Sequence, residues 1–347
     1  MARVAAVVLA AGMGTRMKSS LVKVLHPLCG VPMIQHVLQT VRQAGAERIV
    51  TVVGHQAERV RAVCGDTVEY AVQHEQKGTG HAVLQTESLL AAERGTILIV
   101  FGDTPLYRVE SVVGLIRAHQ ASGAAATILS AIVDDPTGYG RIIRGEDGRF
   151  LRVVEQSDAS PEEAAVNEIN TGMCCIEADR LFIGLRRLGT DNKQGEYYLP
   201  DLFANLAAEG QRVEVVVLQD PTEAQGINSR RHLAEAEAIL RDRIRQHWLD
   251  QGVTMIDPST TFIDANVSIG RDTVIYPFTF LENGTRVGEG CTIGPMARIR
   301  RAQIGDRAVV DSSVVDGISV APDAVVGPNA VLGNGFQGSW MDILERD

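Results

Sequence analysis

Aliphatic residues recur at every sixth position in the C-terminal part of the chain, and this period constrains the fold more than any other feature. The series runs without a gap through Ile263, Ile269, Ile275, Leu281, Val287, Ile293 and Ile299, continues after a slip of one residue at Ile304 and Val310, and resumes at Val320, Val326 and Leu332. A period of six is typical of a parallel β-helix with three hexads per coil, and here it predicts about four coils. A β-sandwich with coincident spacing is the alternative.

Residues 1–228 have a different pattern, in which strands alternate with helices. Apolar runs and flanking turn residues predict strands over 4–9, 48–53, 69–73 and 96–101, and helices over 32–44, 57–63 and 82–90. Alternation of this kind favours a mostly parallel sheet with helices on both faces. In such sheets, ligands bind outside the carboxyl ends of the strands.

A single long helix is predicted between these two sections. Its apolar stripe contains Leu233, Ala236, Leu240, Ile244 and Trp248, and Gly252 provides a C-terminal stop. The chain is therefore expected to consist of a domain over 1–228, a linker helix over 229–252, a β-helix over 253–335 and a tail over 336–347.

Composition excludes several classes of function. The formal net charge of −10 argues against a nucleic-acid or anionic-membrane surface, because those partners require a basic face. No uninterrupted apolar run is long enough for a membrane span. The five cysteines are odd in number and lack the spacing of metal ligands, which favours a reduced, cytoplasmic protein without structural zinc.

A glycine-rich turn follows the first predicted strand. Gly12 and Gly14 lie in it, and glycines at such a turn let backbone N–H groups approach a phosphate or a base. The third small residue of a dinucleotide fingerprint is replaced by Met17, and the GK[ST] of a Walker A loop is absent. A phosphate-binding loop and a structural turn both stay open on this pattern alone.

Four polar residues near the predicted strand ends could carry chemistry. Arg16 and Lys23 either neutralise an anionic ligand or are two solvated charges. Gln73, just before a second glycine-rich turn, has the paired donor and acceptor that read a base edge. Asp103, just past a buried strand, can hold Mg²⁺ on a ligand's phosphates or cap the turn that follows. No Ser/His/Asp or Cys/His arrangement indicates a covalent nucleophile.

Several short segments resemble one protein family. They are LAAGMGTRM (9–17), KVLHPL (23–28), GTGHA (78–82), GDTPL (102–106), DDPTGYGRI (134–142), VEQSDA (154–159), NEINTG (167–172) and QGEYY (194–198). Together they resemble the uridylyltransferase half of the bacterial bifunctional N-acetylglucosamine-1-phosphate uridyltransferase/glucosamine-1-phosphate acetyltransferase family. The first segment alone indicates only the sugar nucleotidyltransferase superfamily, whereas GTGHA, DDPTGYGR and NEINTG are specific to this branch.

The resemblance implies an α/β fold in which a Rossmann-like, mostly parallel sheet is followed by a helical arm and a short left-handed parallel β-helix. It implies a cytoplasmic UDP-N-acetylglucosamine pyrophosphorylase, which transfers the uridylyl group of UTP to N-acetylglucosamine 1-phosphate and so supplies a cell-wall precursor. The reaction is an in-line displacement with Mg²⁺ as cofactor. A homotrimer through the β-helix is the implied assembly, and no nucleic-acid or membrane partner is expected.

The resemblance also implies roles for individual residues. Arg16 and Lys23 face the phosphates as catalytic residues, and Asp103 and Asn228 ligate Mg²⁺. The substrate-binding set consists of Leu9, Ala10, Ala11, Gly12, Gln73, Gly78 and Thr79 around the uracil and of Gly140, Glu155 and Asn170 around the sugar, together with Tyr198.

Three departures from the family pattern stand out. Val22 replaces a usual proline, so the loop that carries Lys23 is expected to be less rigid. Pro200 replaces a usual threonine, which removes a hydroxyl and a backbone donor and is expected to weaken sugar discrimination. The bifunctional enzymes also continue through more coils than this sequence contains, and residues 253–347 include no histidine. We therefore expect the sequence to lack the acetyltransferase part.

Two alternatives to this function stay open. One is a nucleotidyltransferase for another sugar 1-phosphate or for dTTP. The other is a catalytically idle relative that binds a sugar nucleotide or assembles through its β-helix. An idle relative is expected to have lost Arg16, Lys23, Asp103 or Asn228, and all four are present.

Overall fold

The chain divides into two compact units in a computed structural model that describes residues 3–333. The first unit combines Met1–His26 with Pro32–Leu233, and the second combines Pro27–Val31 with Ala234–Asp347. The division therefore falls a few residues beyond position 228, inside the predicted linker helix. The predicted tail over 336–347 lies outside the described residues, as do the last two positions of the predicted β-helix.

Strands and helices alternate up to the long helix. The strands are Val4–Ala10 (β1), Pro27–Leu28 (β2), Val31–Pro32 (β3), Arg48–Val53 (β4), Glu69–Val72 (β5), Thr96–Phe101 (β6), Ala126–Ile132 (β7), Gly140–Arg144 (β8), Phe150–Val154 (β9), Glu168–Glu177 (β10) and Val213–Val217 (β11). The helices are Met33–Gln43 (α1), Ala57–Cys64 (α2), Thr79–Leu84 (α3), Glu87–Leu90 (α4), Val109–Ser122 (α5), Pro161–Ala164 (α6), Ala178–Leu185 (α7), Leu199–Ala208 (α8) and Arg230–Asp250 (α9). Among residues 3–333, none of the helices combines the length and hydropathy that a membrane crossing requires.

A mixed sheet forms the centre of the first unit. In the described part of the chain it has nine strands, seven of them in the order β11-β7-β10-β6-β1-β4-β5, and β8 joins β10 to β9. The expected parallel pairing is confirmed for β4 and β6 beside β1, for β5 beside β4, and for β11 beside β7. Strand β10 runs antiparallel to β6, β7 and β8.

Strand β1 is buried along its whole length, as its uninterrupted apolar run predicts. Val4, Ala6, Val8 and Ala10 pack into the hydrophobic cluster on one face of the sheet. The alternate residues Ala5, Val7 and Leu9 pack into the cluster on the other face. A strand covered on both faces fixes the position of the loop that follows it, and that loop begins the candidate site.

The helix predicted over 82–90 is two shorter helices, α3 and α4. Helix α3 begins at Thr79, directly after Gly78, and α4 begins after Thr86. The buried Thr86 donates its hydroxyl to the carbonyl oxygen of Val83 at 2.7 Å. A threonine hydroxyl that bonds back to the preceding turn competes with the helical hydrogen bonds, and this accounts for the interruption.

The second unit contains a left-handed parallel β-helix. Its strands are Thr254–Met255 (β12), Thr261–Ile263 (β13), Ser268–Ile269 (β14), Val274–Ile275 (β15), Thr279–Glu282 (β16), Arg286–Val287 (β17), Thr292–Ile293 (β18), Arg298–Arg300 (β19), Gln303–Ile304 (β20), Val309–Val310 (β21), Val314–Asp316 (β22), Ser319–Val320 (β23), Val325–Val326 (β24) and Val331–Gly333 (β25). They form three parallel sheets of five, five and four strands within the described residues, one sheet on each side of the coil. That arrangement gives four full coils and two strands of a fifth.

The aliphatic hexad residues form the core of the β-helix. Ile299 pairs with Leu281 in the coil before it and with Val315 in the coil after it. Between Val310 and Val320 the period shortens to two steps of five, with Val315 as the inward residue. The coil therefore loses residues at its corners while the inward positions remain in register.

Replacing Ile299 by Ala is expected to destabilise the second unit by about 2–5 kcal/mol, because it leaves a cavity beside a fully buried position. Chemical denaturation followed by circular dichroism measures the change. Ile256→Ala is the matched control, since Ile256 is 56% exposed, and its effect is expected within about 0.5 kcal/mol. Equal shifts for the two variants would contradict the hexad assignment.

Candidate active site

A cavity of about 450 Å³ opens at the carboxyl ends of β1, β5 and β6 in the first unit. The cavity is lined by Leu9, Ala10, Ala11, Gly12, Lys23, Val24, Gln73, Gln76, Gly78, Thr79, Ala82, Phe101, Asp103, Thr104, Gly138, Tyr139, Gly140, Glu155, Asn170, Thr171, Gly172, Glu196, Ala224, Gly226 and Asn228. This is the edge of the sheet at which a parallel arrangement predicts a ligand.

Thirteen of the fifteen residues predicted for the site line this cavity. They are Leu9, Ala10, Ala11, Gly12, Lys23, Gln73, Gly78, Thr79, Asp103, Gly140, Glu155, Asn170 and Asn228. Arg16 does not line it in the described structure, although its Nη2 donates to Asn228 Oδ1 at 3.1 Å. Tyr198 is buried directly before α8 and is likewise not among the lining residues that the structure describes.

Lys23, Asp103 and Asn228 meet at one point of the cavity wall. The Lys23 ammonium forms a salt bridge with the Asp103 carboxylate and donates to Asn228 Oδ1 at 3.0 Å. The side chains of Lys23 and Asp103 are only 13% and 14% exposed. The exposed Arg16 also reaches Asn228, so two cations, one carboxylate and one amide are concentrated here, and water has little access to Lys23 and Asp103.

The backbone determines where these side chains meet. Asp103 follows the end of β6, and its carbonyl oxygen accepts a hydrogen bond from the N–H of Ile227 at 2.9 Å. That bond brings Asn228 beside Asp103. Gly14 has a φ of +63°, and a Cβ there would lie 2.6 Å from the Cβ of Lys23. A glycine is therefore required for the turn that supports Lys23.

Asp103 and Asn228 are suitable ligands for a hard divalent cation that takes its other ligands from a bound substrate. Both supply oxygen atoms, which Mg²⁺ prefers over nitrogen and sulfur. Among residues 3–333, no cluster of three or more His, Cys, Asp or Glu side chains forms a metal cage. The two protein oxygens leave the rest of a cation's coordination to water or to a bound ligand, as when Mg²⁺ accompanies a phosphate chain.

The glycine-rich turn before α3 lines the end of the cavity next to β5, an edge strand of the sheet. Gln73 is buried, and its Nε2 donates to the carbonyl oxygen of Gly78 at 3.2 Å. Gly78 has a φ of +101°, and a Cβ there would lie 2.6 Å from the carbonyl oxygen of Tyr197. The Thr79 hydroxyl accepts a hydrogen bond from the N–H of Leu199 at 3.0 Å. These contacts hold Gln73, Gly78 and Thr79 together on the cavity wall.

Carboxylate and amide groups line the opposite end, next to β8 and β10, which β6, β1 and β4 separate from β5 in the sheet. Gly140 pairs with Asn170 across β8 and β10, and the Cβ position of Gly140 lies 3.3 Å from Glu155 Oε1. Burial raises the pKa of Glu155, and the nearby carboxylates of Asp201 and Asp158 raise it further. Such a surface offers hydrogen-bond acceptors to a hydroxyl-rich ligand.

Several residues that line the cavity are not among those predicted from the sequence. Gln76 donates from Nε2 to the carbonyl oxygen of Ala11 at 3.1 Å and so supports the loop after β1. Thr104, Tyr139 and Glu196 line the cavity as well. The last three lie inside the segments GDTPL, DDPTGYGRI and QGEYY, so the signal that identifies them was available in the motifs.

Two of the three departures from the family pattern, Val22 and Pro200, have simple structural settings. Val22 has a φ of −56° and a ψ of 137°, which is backbone that proline also adopts. Pro200 is buried in the first turn of α8. Proline is favoured there because a first-turn N–H has no partner within the helix. Pro200 does not line the cavity in the described structure, so the lost sugar contact expected from the sequence has no support there.

Replacing Pro200 by Thr is therefore expected to keep the KM for a sugar substrate within about twofold of wild type. A larger change would require a direct hydrogen bond between the threonine hydroxyl and the sugar. Steady-state kinetics with the sugar substrate varied measures this. A KM severalfold lower in Pro200→Thr would instead support the direct contact expected from the sequence.

Two protein families match the chain. Residues 5–255 match the family Nucleotidyl transferase. Residues 266–301 match the family Bacterial transferase hexapeptide (six repeats). The first match includes every residue of the candidate site, and the second covers the centre of the β-helix.

Curated relatives match most of the chain. The "Bifunctional protein GlmU" of Exiguobacterium sibiricum is 49% identical over 94% of this chain and 73% of its own length. The proteins of the same name from Halalkalibacterium halodurans and Enterococcus faecalis are 45% and 48% identical over 93% and 94% of this chain, and each is covered over 71% of its own length. A solved structure of UDP-glucose pyrophosphorylase complexed with UDP-glucose matches with a TM-score of 0.57 and 19% identity, covering 70% of this chain and all of that one. At that identity the likeness supports the fold alone.

Proposed function

The chain belongs to the nucleotidyl transferase family of the bifunctional GlmU proteins, and from this we infer that its first unit is the uridylyltransferase that makes UDP-N-acetylglucosamine. It joins UTP to N-acetylglucosamine 1-phosphate and releases pyrophosphate. The observation that carries this assignment is the meeting of Lys23, Asp103 and Asn228 on the cavity wall. Asp103 follows β6, and β6 lies in the sheet between β10, which contains Asn170, and β5, which precedes Gln73. One end of the same cavity suits a base and the other a sugar.

The proposed binding mode follows from the chemistry of the two ends. Gln73, Gly78 and Thr79 are assigned to the uracil, together with Leu9, Ala10, Ala11 and Gly12. Glu155, Asn170 and Gly140 are assigned to the N-acetylglucosamine, whose hydroxyls and amide need acceptors and donors. The phosphates of both substrates then lie beside Lys23 and Asp103, because Asp103 follows β6, which lies between β10 and β5 in the sheet, and Lys23 pairs with Asp103.

The reaction is one displacement at the α-phosphorus of UTP. A phosphate oxygen of the sugar phosphate forms the new P–O bond, and the bond between the α-phosphorus and the bridging oxygen to the β-phosphorus breaks, so that pyrophosphate leaves. Lys23 and Arg16 neutralise negative charge that develops on the phosphate oxygens. No covalent intermediate is needed, and all five cysteines are buried.

Mg²⁺ is the proposed cofactor, held by the carboxylate of Asp103 and the amide oxygen of Asn228. When bound, it lowers the charge on the phosphate chain and favours one geometry for displacement. The protein contributes the two ligands and a fixed distance between their backbones, through the hydrogen bond from Ile227 to Asp103. Lys23, which pairs with both ligands in this structure, is then within reach of the same phosphates.

We also propose a homotrimer assembled through the β-helix. The exposed side chains of Phe278, Phe280, Tyr276 and Met296 lie on the outside of the coils, and Phe280 stacks on Phe262 at a ring distance of 4.5 Å. Exposed aromatic patches of this kind favour association between copies. Light scattering of the purified chain measures the assembly, and a monomer at micromolar concentration would contradict it. A cytoplasmic location is proposed as well, since the five cysteines are unpaired.

Pyrophosphate release across four substrate pairs tests the function. UTP or dTTP is combined with N-acetylglucosamine 1-phosphate or glucose 1-phosphate, with and without EDTA. We expect the highest kcat/KM for UTP with N-acetylglucosamine 1-phosphate, and no release in EDTA. A higher kcat/KM for another pair would support the alternative nucleotidyltransferase. Binding of UDP-N-acetylglucosamine with no release from any pair would support the idle relative.

A further inference from the structure

Arg141 is a buried cation next to the proposed sugar end of the cavity. It is 1% exposed, and among the described residues it is the only lysine or arginine that the fold buries. Arginine is almost never fully buried unless its charge is compensated. Its position in β8, directly after Gly140, makes it a neighbour of the site without being part of the cavity lining.

The guanidinium of Arg141 bonds to three different segments. It donates from Nη1 to the carbonyl oxygen of Tyr139. It donates from Nη2 to Gln156 Oε1 at 2.8 Å and to the carbonyl oxygen of Ala164 at 3.2 Å. Its Nε is buried and has no hydrogen-bond partner in the described structure. The side chain thus connects the residue before Gly140, the residue after Glu155 and the end of α6.

The shared acceptor on Gln156 links the two lining segments directly. Gln156 Oε1 also accepts a hydrogen bond from the N–H of Gly138 at 3.0 Å. Gly138 and Tyr139 lie on one side of this junction, and Glu155 lies on the other side. The Arg141 guanidinium, which is not part of the cavity lining, therefore connects the segments that form the cavity wall at the proposed sugar end.

The three acceptors of Arg141 are neutral oxygens, so their hydrogen bonds compensate only part of the cost of burying a charge. A hydrophobic side chain could fill the same space without that cost. The charge of Arg141 acts on Glu155. Burial and the carboxylates of Asp201 and Asp158 raise the pKa of Glu155, whereas the Arg141 guanidinium lowers it. The cation thus favours the ionised form of a carboxylate that lines the cavity.

We propose that Arg141 is a positioning residue for the sugar phosphate, because its guanidinium holds the Gly138–Gly140 segment in register with Glu155. The proposal rests on the assignment of the sugar to this end of the cavity. It concerns binding of one substrate, since the residues that meet the triphosphate and the base lie elsewhere in the cavity wall. Loss of Arg141 therefore affects the two substrates unequally.

The test compares KM values for the two substrates in Arg141→Met and Arg141→Lys. We expect the KM for the sugar phosphate to rise about 10- to 100-fold in Arg141→Met, because small misplacements of binding groups have effects of that size. The KM for UTP is expected within about twofold of wild type. Arg141→Lys keeps the charge but cannot span three acceptors, so it is expected to recover part of the loss. A substitution that only destabilised the unit would lower the apparent kcat through loss of folded enzyme and would leave both KM values close to wild type.

Arg144→Met is the matched control. Arg144 lies on the same strand and forms a partly exposed salt bridge with Glu168 at 2.7 Å. Its loss is expected to leave both KM values within about twofold, as for other partly exposed pairs. A rise in the sugar KM equal to that of Arg141→Met would show that any change in β8 has this effect, and would overturn the proposal.

Gln156 provides a second test if Arg141→Met does not fold. Gln156→Ala removes the shared acceptor at an exposed residue, and Gln156→Glu retains an oxygen there. We expect the sugar KM to rise in the first variant and to recover in the second. Wild-type KM values in Gln156→Ala would overturn the proposal. Both tests use the sugar phosphate that the four-way assay identifies as best, so a different sugar preference would contradict the proposed function without deciding the role of Arg141.

Discussion

Asp103→Asn is expected to lower kcat for pyrophosphate release by at least about 100- to 1,000-fold, with the fold retained. The carboxylate is one of two oxygen donors at the proposed cation site, and its charge is what holds Mg²⁺ on the phosphates. The substitution preserves the shape of the side chain and a hydrogen-bond acceptor for Lys23. Steady-state kinetics at saturating substrates measures the loss, and circular dichroism checks the fold.

Asp147→Asn serves as the control for Asp103→Asn. Asp147 lies in an exposed turn, where its carboxylate accepts from the backbone N–H of Arg149 at 3.1 Å. Its replacement is expected to leave kcat unchanged within about twofold, as for most surface substitutions. If Asp103→Asn keeps more than about a tenth of wild-type activity, the assignment of Asp103 as a metal ligand is wrong.

Lys23→Met is expected to lower kcat/KM for UTP by about 100- to 1,000-fold, because a cation that stabilises charge on a transferring phosphate is removed. The same substitution frees Asp103 and Asn228 from their ammonium partner. Binding of Mn²⁺ to the substrate-free protein, followed by electron paramagnetic resonance, is therefore expected to be at least as tight as in wild type. Asp103→Asn is expected to weaken the same binding.

Lys77→Met is the matched control for Lys23→Met. The Lys77 side chain is 54% exposed and forms a salt bridge with Glu75. We expect its kinetic constants to stay within about threefold of wild type, since exposed pairs contribute little. Weaker Mn²⁺ binding in Lys23→Met than in wild type would contradict the arrangement in which Lys23 and a cation share the same oxygens.

The elements with a strong periodic signal could be predicted from the sequence. Strand β1 is apolar at every position because it is covered on both faces, and the hexads follow from the regular coil of the β-helix. The direction of β10 could not be predicted in this way, because a buried strand has the same pattern in either direction. The break between α3 and α4 depends on one threonine hydroxyl, which the hydrophobic spacing does not report.

The candidate site was predictable in part for a similar reason. Asp103 and Gln73 follow strands whose ends meet at one edge of the sheet, so their proximity follows from topology. Asn228 came from the family resemblance alone, since no local pattern marks it. Arg141 lies within the segment DDPTGYGRI, but its sequence position does not reveal a role, because an arginine in a strand normally has a solvent-exposed head group. Its burial depends on Tyr139, Gln156 and Ala164, which only the folded chain brings together.

The hydrogen bond between Ile227 and Asp103 brings Asn228 to the cation site, and this has a consequence for synthesis of the protein. Lys23 and Asn228 are 205 positions apart, and their contact closes one of the longest loops in the first unit. Contacts of such separation form late, because loop-closure entropy opposes them until the sheet is in place. A nascent chain whose Asn228 has not yet emerged from the ribosome has an incomplete cation site. Catalytic competence thus arises only when the whole unit has emerged, and substrate binding selectively stabilises chains that have finished folding.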